Sequence, residues 1–150
     1  MNPEINVQGN VVEVIEKIEI KDECQSLSLR FGRLQDQRRY EELPSLMTSD
    51  GTYTRLGEKL SIADFIEWVQ TMPPNKTRHF VTNTDFSRIT AGSAAGITYY
   101  SLYLHSGDSE IPYPLDGPFV IGEYHEEFSK TDQGWKIKSR EAKIIFRKTT

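Results

Sequence analysis

An aspartate and a histidine are the first candidates for chemistry in this sequence. Asp36 closes a helical pattern in Leu34-Gln35-Asp36-Gln37-Arg38-Arg39-Tyr40, and His79 opens a strand-like run, Thr77-Arg78-His79-Phe80-Val81-Thr82-Asn83. Brought together, a carboxylate and an imidazole form a proton-transfer pair. The carboxylate fixes the ring tautomer and stabilises the imidazolium, while the other ring nitrogen acts as a general base. As residue types alone, they read as a cap on the following helix and a structural strand residue. Cys24 falls on an apolar helical stripe and reads as a buried small hydrophobe, not a nucleophile. Glu123, His125 and Glu127 alternate along one strand, a spacing that could mimic a metal site. With charges on both flanks it reads as a solvated sheet face or a subunit contact, so no metal is assigned. The sequence contains no phosphate-binding Walker loop, dinucleotide glycine fingerprint, Gly-x-Ser-x-Gly or His-Glu-x-x-His.

The elements that must position these residues follow from periodicity. Residues 1–10 are polar and aperiodic and are expected to form a flexible arm. Val11, Ile15 and Ile18 suggest a helical stripe. Ile20, Cys24, Leu27, Phe31 and Leu34 then recur at helical spacing up to Asp36, as one helix or two. A short helix is predicted over Tyr40–Met47, a strand over Thr52–Arg55, and a helix capped by Ser61 and stopped by Pro73-Pro74. Four long strands are predicted at Thr77–Ile89, Ala94–His105, Phe119–Lys130 and Trp135–Arg147. Tight turns join the first two strands and the last two, and the proline-rich loop 106–118 could rim a cavity. Helices first and antiparallel strands after them predict a single α+β domain over residues 1–150, with the helices packed on one face of a curved sheet.

Composition narrows the function classes. Hydrophobic residues at 37% and charged residues at 27% fit an ordinary globule with a real core. The net charge of -4 and the absence of any basic block longer than Arg38-Arg39 argue against a nucleic-acid partner. No apolar run approaches the roughly 18 residues of a membrane span, and the start lacks the pattern of a secretory signal. One cysteine cannot form an internal disulfide. The expectation is a cytoplasmic protein without a membrane partner.

The ordered motifs Leu34-x-Asp36, Arg39-Tyr40-x-x-Leu43, Asp50-Gly51-x-Tyr53, Thr77-Arg78-His79-Phe80-x-x-Asn83 and Gly134-Trp135-Lys136-Ile137 carry a further reading. From about Ile20 to Phe146 the chain resembles the SnoaL-like branch of the nuclear-transport-factor-2-like superfamily. Gly122 to Arg140 is similar to scytalone dehydratase and hexachlorocyclohexane dehydrochlorinase. The resemblance implies a cone-shaped α+β barrel, its mostly antiparallel sheet wrapped around a long N-terminal helix with an apolar pocket. It also implies a cofactor-independent, metal-free lyase or isomerase acting on a small hydrophobic cyclic or aromatic metabolite, with Asp36 and His79 as the proton-transfer pair.

The resemblance further implies Arg140 as a catalytic arginine for a leaving group or enolate; a salt bridge to Glu141 or Asp36 is the alternative. It implies a pocket lined by Phe31, Tyr53, Arg55, Tyr100, Leu102, Leu104, Gly122 and Tyr124. Phe31 stands where the dehydrochlorinase has lysine, and Gln35 where the dehydratase has tyrosine. Leu104 falls where the dehydratase has a second histidine, and the adjacent His105 points to the other sheet face unless a bulge rephases the strand. Strand alternation turns Glu123, His125, Glu127, Tyr99 and Tyr103 outward, a face that implies a homo-oligomer, trimer or dimer. The stretch Asp36 to Leu43, with its Arg39-Tyr40-Glu41-Glu42-Leu43, also resembles the small β subunits of aromatic-ring-hydroxylating dioxygenases, which gives a non-catalytic subunit, or an apolar-ligand carrier, as the alternative function.

Overall fold

The apolar residues spaced from Ile20 to Leu34 form one face of a single helix. In the computed structural model, which describes residues 7–149, this helix (α1, Val7–Asp36) is 30 residues long. Ile20, Cys24, Phe31 and Leu34 are buried and Leu27 packs against them. Residues 7–10 of the expected arm belong to the helix; residues 1–6 lie outside the described residues. Ile15 and Ile18, expected to continue the stripe, are exposed, as is Val14; the Val11 side chain lies outside what is described. Once the packed half has nucleated the helix, each further turn costs little, so this stretch needs no buried face. α1 ends in a Schellman closure: Arg39 N–H donates to Leu34 O (2.9 Å) and Arg38 N–H to Gln35 O (3.0 Å). Arg38 stands at φ 57, in the left-handed region where glycine is usual.

A 3₁₀ turn over Tyr40–Leu46 buries Leu43 and Leu46. Met47, expected to end it, instead begins β1 (Met47–Arg55). A short strand the sequence reading did not anticipate, β2 (Glu58–Ser61), folds back on β1 through Leu56-Gly57, both at positive φ. α2 (Ile62–Gln70) is capped as expected, the Ser61 hydroxyl accepting from Asp64 N–H at 3.1 Å. The long strands β3 (Lys76–Ile89), β4 (Ser93–His105), β5 (Val120–Thr131) and β6 (Gly134–Arg147) fall within a residue or so of their predicted bounds.

The six strands form one sheet in the order β2-β1-β6-β5-β4-β3. Every pairing is antiparallel except β1 with β6, where Tyr53 stands beside Arg140. Register shifts in β3 and along the β5–β6 pair bend the sheet around α1, as bulges do. The result is the expected α+β cone. Among the described residues no helix is long and apolar enough to cross a membrane.

Candidate active site

Asp36 ends α1 and His79 lies near the start of β3, 43 residues later; packing of the helix against this edge strand brings them together. His79 Nδ1 lies 2.6 Å from Asp36 Oδ1. Two further donors hold the carboxylate: the Thr77 hydroxyl donates to Oδ1 at 3.0 Å, and the His79 backbone N–H donates to Oδ2 at 2.9 Å. The His79 and Asp36 side chains are each 10% exposed. No bond from a described protein group occupies His79 Nε2. Thr77, two residues before His79 and so on the same face of β3, is the partner that strand alternation could have supplied.

His79 lines a cavity of about 420 Å³ enclosed between sheet, α1 and α2. Tyr53 and Arg55 from β1, Tyr100, Leu102 and Leu104 from β4, and Tyr124 from β5 line it. Phe65, Trp68 and Val69 of α2 close it on one side, while Phe119, Ala142 and Ile144 extend the apolar wall. The Tyr100 and Tyr124 rings stack at 4.0 Å, and Tyr53 stacks on Phe65 at 4.0 Å. Burial pushes the hydroxyls of Tyr53, Tyr100 and Tyr124 above their usual value, against the opposing pull of the Arg140 charge. These phenols stay protonated and can donate to a substrate oxygen.

Three expected site residues lie elsewhere. Phe31 is fully buried in the core, 6.0 Å from Phe65 between ring centroids, because it shares the inner helix face with Cys24 and Leu34. Gly122 does face inward, but Tyr100 lies over it: a Cβ there would meet Tyr100 Cε1 at 2.8 Å and Lys143 O at 2.3 Å. Arg140 is fully buried and sandwiched between the Tyr124 ring at 4.1 Å and the Phe31 ring at 4.4 Å. Its Nε donates to Glu126 Oε2 (2.9 Å), and its Nη2 donates to Ser28 O (3.1 Å) and to the Ser28 hydroxyl (2.6 Å). Glu126 also accepts from Ser28 and Thr98. The ion pair therefore forms with Glu126, not with Glu141 or Asp36. Burial works against the Arg140 charge, but Glu126 and the neighbouring tyrosines together hold its pKa above the usual value. Its Nη1 is buried without a partner among the described residues.

The remaining candidates sit outside the cavity. Cys24 is fully buried in the core, and burial pushes its thiol up to about 12. On the outer face, His125 Nε2 lies 2.8 Å from Glu123, and Glu127 lies 3.9 Å from Arg88. His105 also points outward and stacks on Tyr113 at 5.3 Å. Loop 106–118 thus folds over the outer face through Tyr113, while Phe119, just after it, reaches the cavity.

Comparison with known proteins adds a family and a set of folds. Residues 16–141 match the family described as the SnoaL-like domain. No curated protein sequence matches the chain. Among solved structures it is similar to LinA, at 18% identity and TM-score 0.71, over 88% of this chain and 90% of that one. It is similar to a proposed scytalone dehydratase from Novosphingobium aromaticivorans at 20% identity and TM-score 0.68, over 95% and 90% of the two chains. The β subunit of a proposed aromatic-ring-hydroxylating dioxygenase from the same organism matches at 15% identity and TM-score 0.68, over 93% and 95%. These likenesses show the fold.

Proposed function

Because the chain belongs to the SnoaL-like domain family, we propose that it is a cofactor-independent lyase of the dehydratase type, or an isomerase, acting on a small hydrophobic cyclic or aromatic metabolite. The observation that carries this reading is the 2.6 Å contact between Asp36 and His79 Nδ1 on the wall of an otherwise largely apolar cavity. With Nδ1–H donating to the carboxylate, Nε2 keeps its lone pair and becomes the base. Removal of a carbon-bound proton next to a carbonyl forms an enolate whose oxygen the protonated Tyr53 or Tyr124 hydroxyl stabilises. In a dehydration, the adjacent C–O bond then breaks, a C=C bond forms, and His79 returns its proton to the leaving hydroxyl as water. In an isomerisation the same proton returns to another carbon. Arg140 touches none of these atoms in this reading; it supports the Tyr124 ring from behind as a positioning residue.

The test uses the full chain and a panel of cyclic β-hydroxy aryl ketones, reading loss of water as the rise of enone absorbance. Turnover by the wild type and a fall of about 10²–10⁴-fold in His79→Gln are expected. Turnover that His79→Gln leaves intact would remove the pair from the mechanism.

A second reading is a non-catalytic subunit. The near-complete mutual coverage with a dioxygenase β subunit supports it, as does the segment Asp36 to Leu43. Failure of the whole panel, together with co-purification of a large hydroxylase subunit, would favour it. In either reading the protein works in the cytoplasm as a homo-oligomer, held through the exposed Phe80, Tyr99, Ile121 and Phe146.

A further inference from the structure

The charges on the cavity wall run against the charge of the whole protein. The chain carries a formal net charge of -4, yet among the described residues no aspartate or glutamate lines this cavity, and three arginines do: Arg38, Arg55 and Arg147. Asp36, the nearest carboxylate by chain position, is turned to His79, Thr77 and the β3 backbone.

Each arginine is delivered by a device that a purely apolar pocket would not need. Arg38 occupies the left-handed position of the α1 closure, where a Cβ is unfavourable and glycine is the usual choice. The only other described non-glycine residue at positive φ, Leu56, lines the same cavity, and such strain gathers at functional sites. Arg147 arrives through a bulge. Ala142 and Ile144 face the cavity, so plain alternation would send Phe146 in after them. The register shift at Ile121/Gly122 instead pairs Phe146 with Ile121 and Arg147 with Val120. Phe146 is left 65% exposed while the arginine lines the cavity. Arg55 lies over Trp68, with its guanidinium carbon 3.7 Å from the ring centre, a cation–π contact that leaves guanidinium N–H groups to bond.

None of the three is neutralised by a buried partner. Among the described residues Arg55 pairs only with the exposed carboxylate of Glu58, at 3.4 Å, and Arg38 and Arg147 have no ion pair. Both of these are exposed, so they stand where the cavity meets solvent, whereas His79 is nearly covered. An apolar body therefore fits against Phe65, Trp68 and Phe119 with its reacting carbon toward His79 and its charged end toward the arginines. Planar guanidinium groups favour a planar anion with two acceptor oxygens.

We infer that the cavity takes a carboxylate-bearing aromatic or alicyclic metabolite, its acid group held at the mouth by Arg38, Arg55 and Arg147. This rests on the cavity being the substrate site of the proposed lyase, and it is tested by binding alone. Isothermal titration of the full chain compares 2-naphthoate with the neutral isostere 2-naphthamide. The acid is expected to bind at least tenfold more tightly than the amide, with the ratio falling severalfold in Arg147→Gln and in Arg38→Gly. Arg38→Gly is expected to melt no lower than wild type, because it relieves the left-handed strain, so its loss of acid binding cannot be ascribed to unfolding. Equal binding of acid and amide, no detectable binding of the acid at millimolar concentration, or a ratio unmoved by both variants overturns the inference. Those outcomes leave the Asp36–His79 reading standing, just as a catalytically silent protein that still prefers the acid would sink that reading alone.

Discussion

Gly32 on α1 faces His79 on β3 so closely that a Cβ built on the glycine would lie 3.2 Å from the histidine Cβ and 3.2 Å from Val81 Cγ2. One helical turn further on, Asp36 meets the same histidine's ring. The bare helix surface at residue 32 thus sets the helix–strand distance that lets the carboxylate reach Nδ1. In Gly32→Ala the neighbours need give only a few tenths of an ångström, and the gain in helix propensity of about 1 kcal/mol offsets the crowding. Gly32→Val overpacks the contact at a cost of about 1–3 kcal/mol and pushes β3 outward. Urea unfolding is expected to show near-wild-type stability for the alanine variant and a clear loss for valine. A valine variant as stable as wild type would mean that β3 has room the structure does not show.

The pair itself has a spectroscopic signature that needs no substrate. With Asp36 on Nδ1, nitrogen-15 spectra of neutral His79 should report the Nδ1–H tautomer. Asp36→Asn should disturb that tautomer and also place an amide N–H against a donor, since the carboxylate now accepts from both Thr77 and the His79 backbone. A cost of about 1–3 kcal/mol follows. Thr77→Val removes one donor and leaves the pair in place, so the tautomer should persist with a loss of about 1 kcal/mol. An Nε2–H tautomer in the wild type would contradict the proposed base.

How far the sequence reveals this arrangement depends on how local each cause is. The Ile20–Leu34 spacing, the Ser61 cap and the four long strands are short-range patterns, and each appears in the structure. β2 escapes notice because four residues carry little period of their own, and it exists through pairing such as Tyr53 with Leu60. Asp36 and His79 are linked in the sequence only by resemblance, since no local rule joins residues 43 positions apart. Alternation places Gly122 inward but cannot see the Tyr100 ring lying over it. It also turns Arg147 the wrong way, because the β5–β6 bulge that rephases the strand leaves no mark in residue types. Arg38 is equally hidden: nothing in an arginine announces a left-handed backbone.

The Arg140–Glu126 pair is fully buried, so removing one partner strands the other's charge. Arg140→Met and Glu126→Leu are each expected to cost about 3–5 kcal/mol in urea unfolding. The double variant should recover part of that loss, because no unpaired charge remains in the core. A double variant that is merely the sum of the singles would mean that the two groups are held independently.

The outer sheet face carries its own expectation. Tyr99 and Phe146 are 62% and 65% exposed, and Ile121 and Phe80 lie on the same face, more apolar surface than a lone domain usually shows. Light scattering of the full chain at micromolar concentration should give a dimer or trimer, and Tyr99→Lys with Phe146→Lys should shift it to monomer. A monomeric wild type rules out this interface.

Stability should fall at alkaline pH, and the buried phenols set the sign. Burial raises the Tyr53, Tyr100 and Tyr124 pKa values in the folded protein above the ordinary value of 10.0. Above about pH 10 the unfolded chain loses these protons while the folded chain keeps them, so the folded state holds more protons and stability declines as pH rises. The contribution is fully present below pH 10 and is lost progressively above it. Each such tyrosine adds a slope of about 1.4 kcal/mol per pH unit while the two states differ by one proton. Urea midpoints measured from pH 8 to 11 should therefore be flat at first and then fall. Tyr124→Phe should make the descending limb shallower by about that one-proton slope, whatever its effect at neutral pH. The same burial leaves Cys24, with its thiol pushed up to about 12, unreactive toward a disulfide reagent at pH 8 until denaturant is added. A descending limb of unchanged slope in Tyr124→Phe would show that this hydroxyl ionises over the same pH range in the folded and the unfolded protein, and burial would then not be what holds its proton.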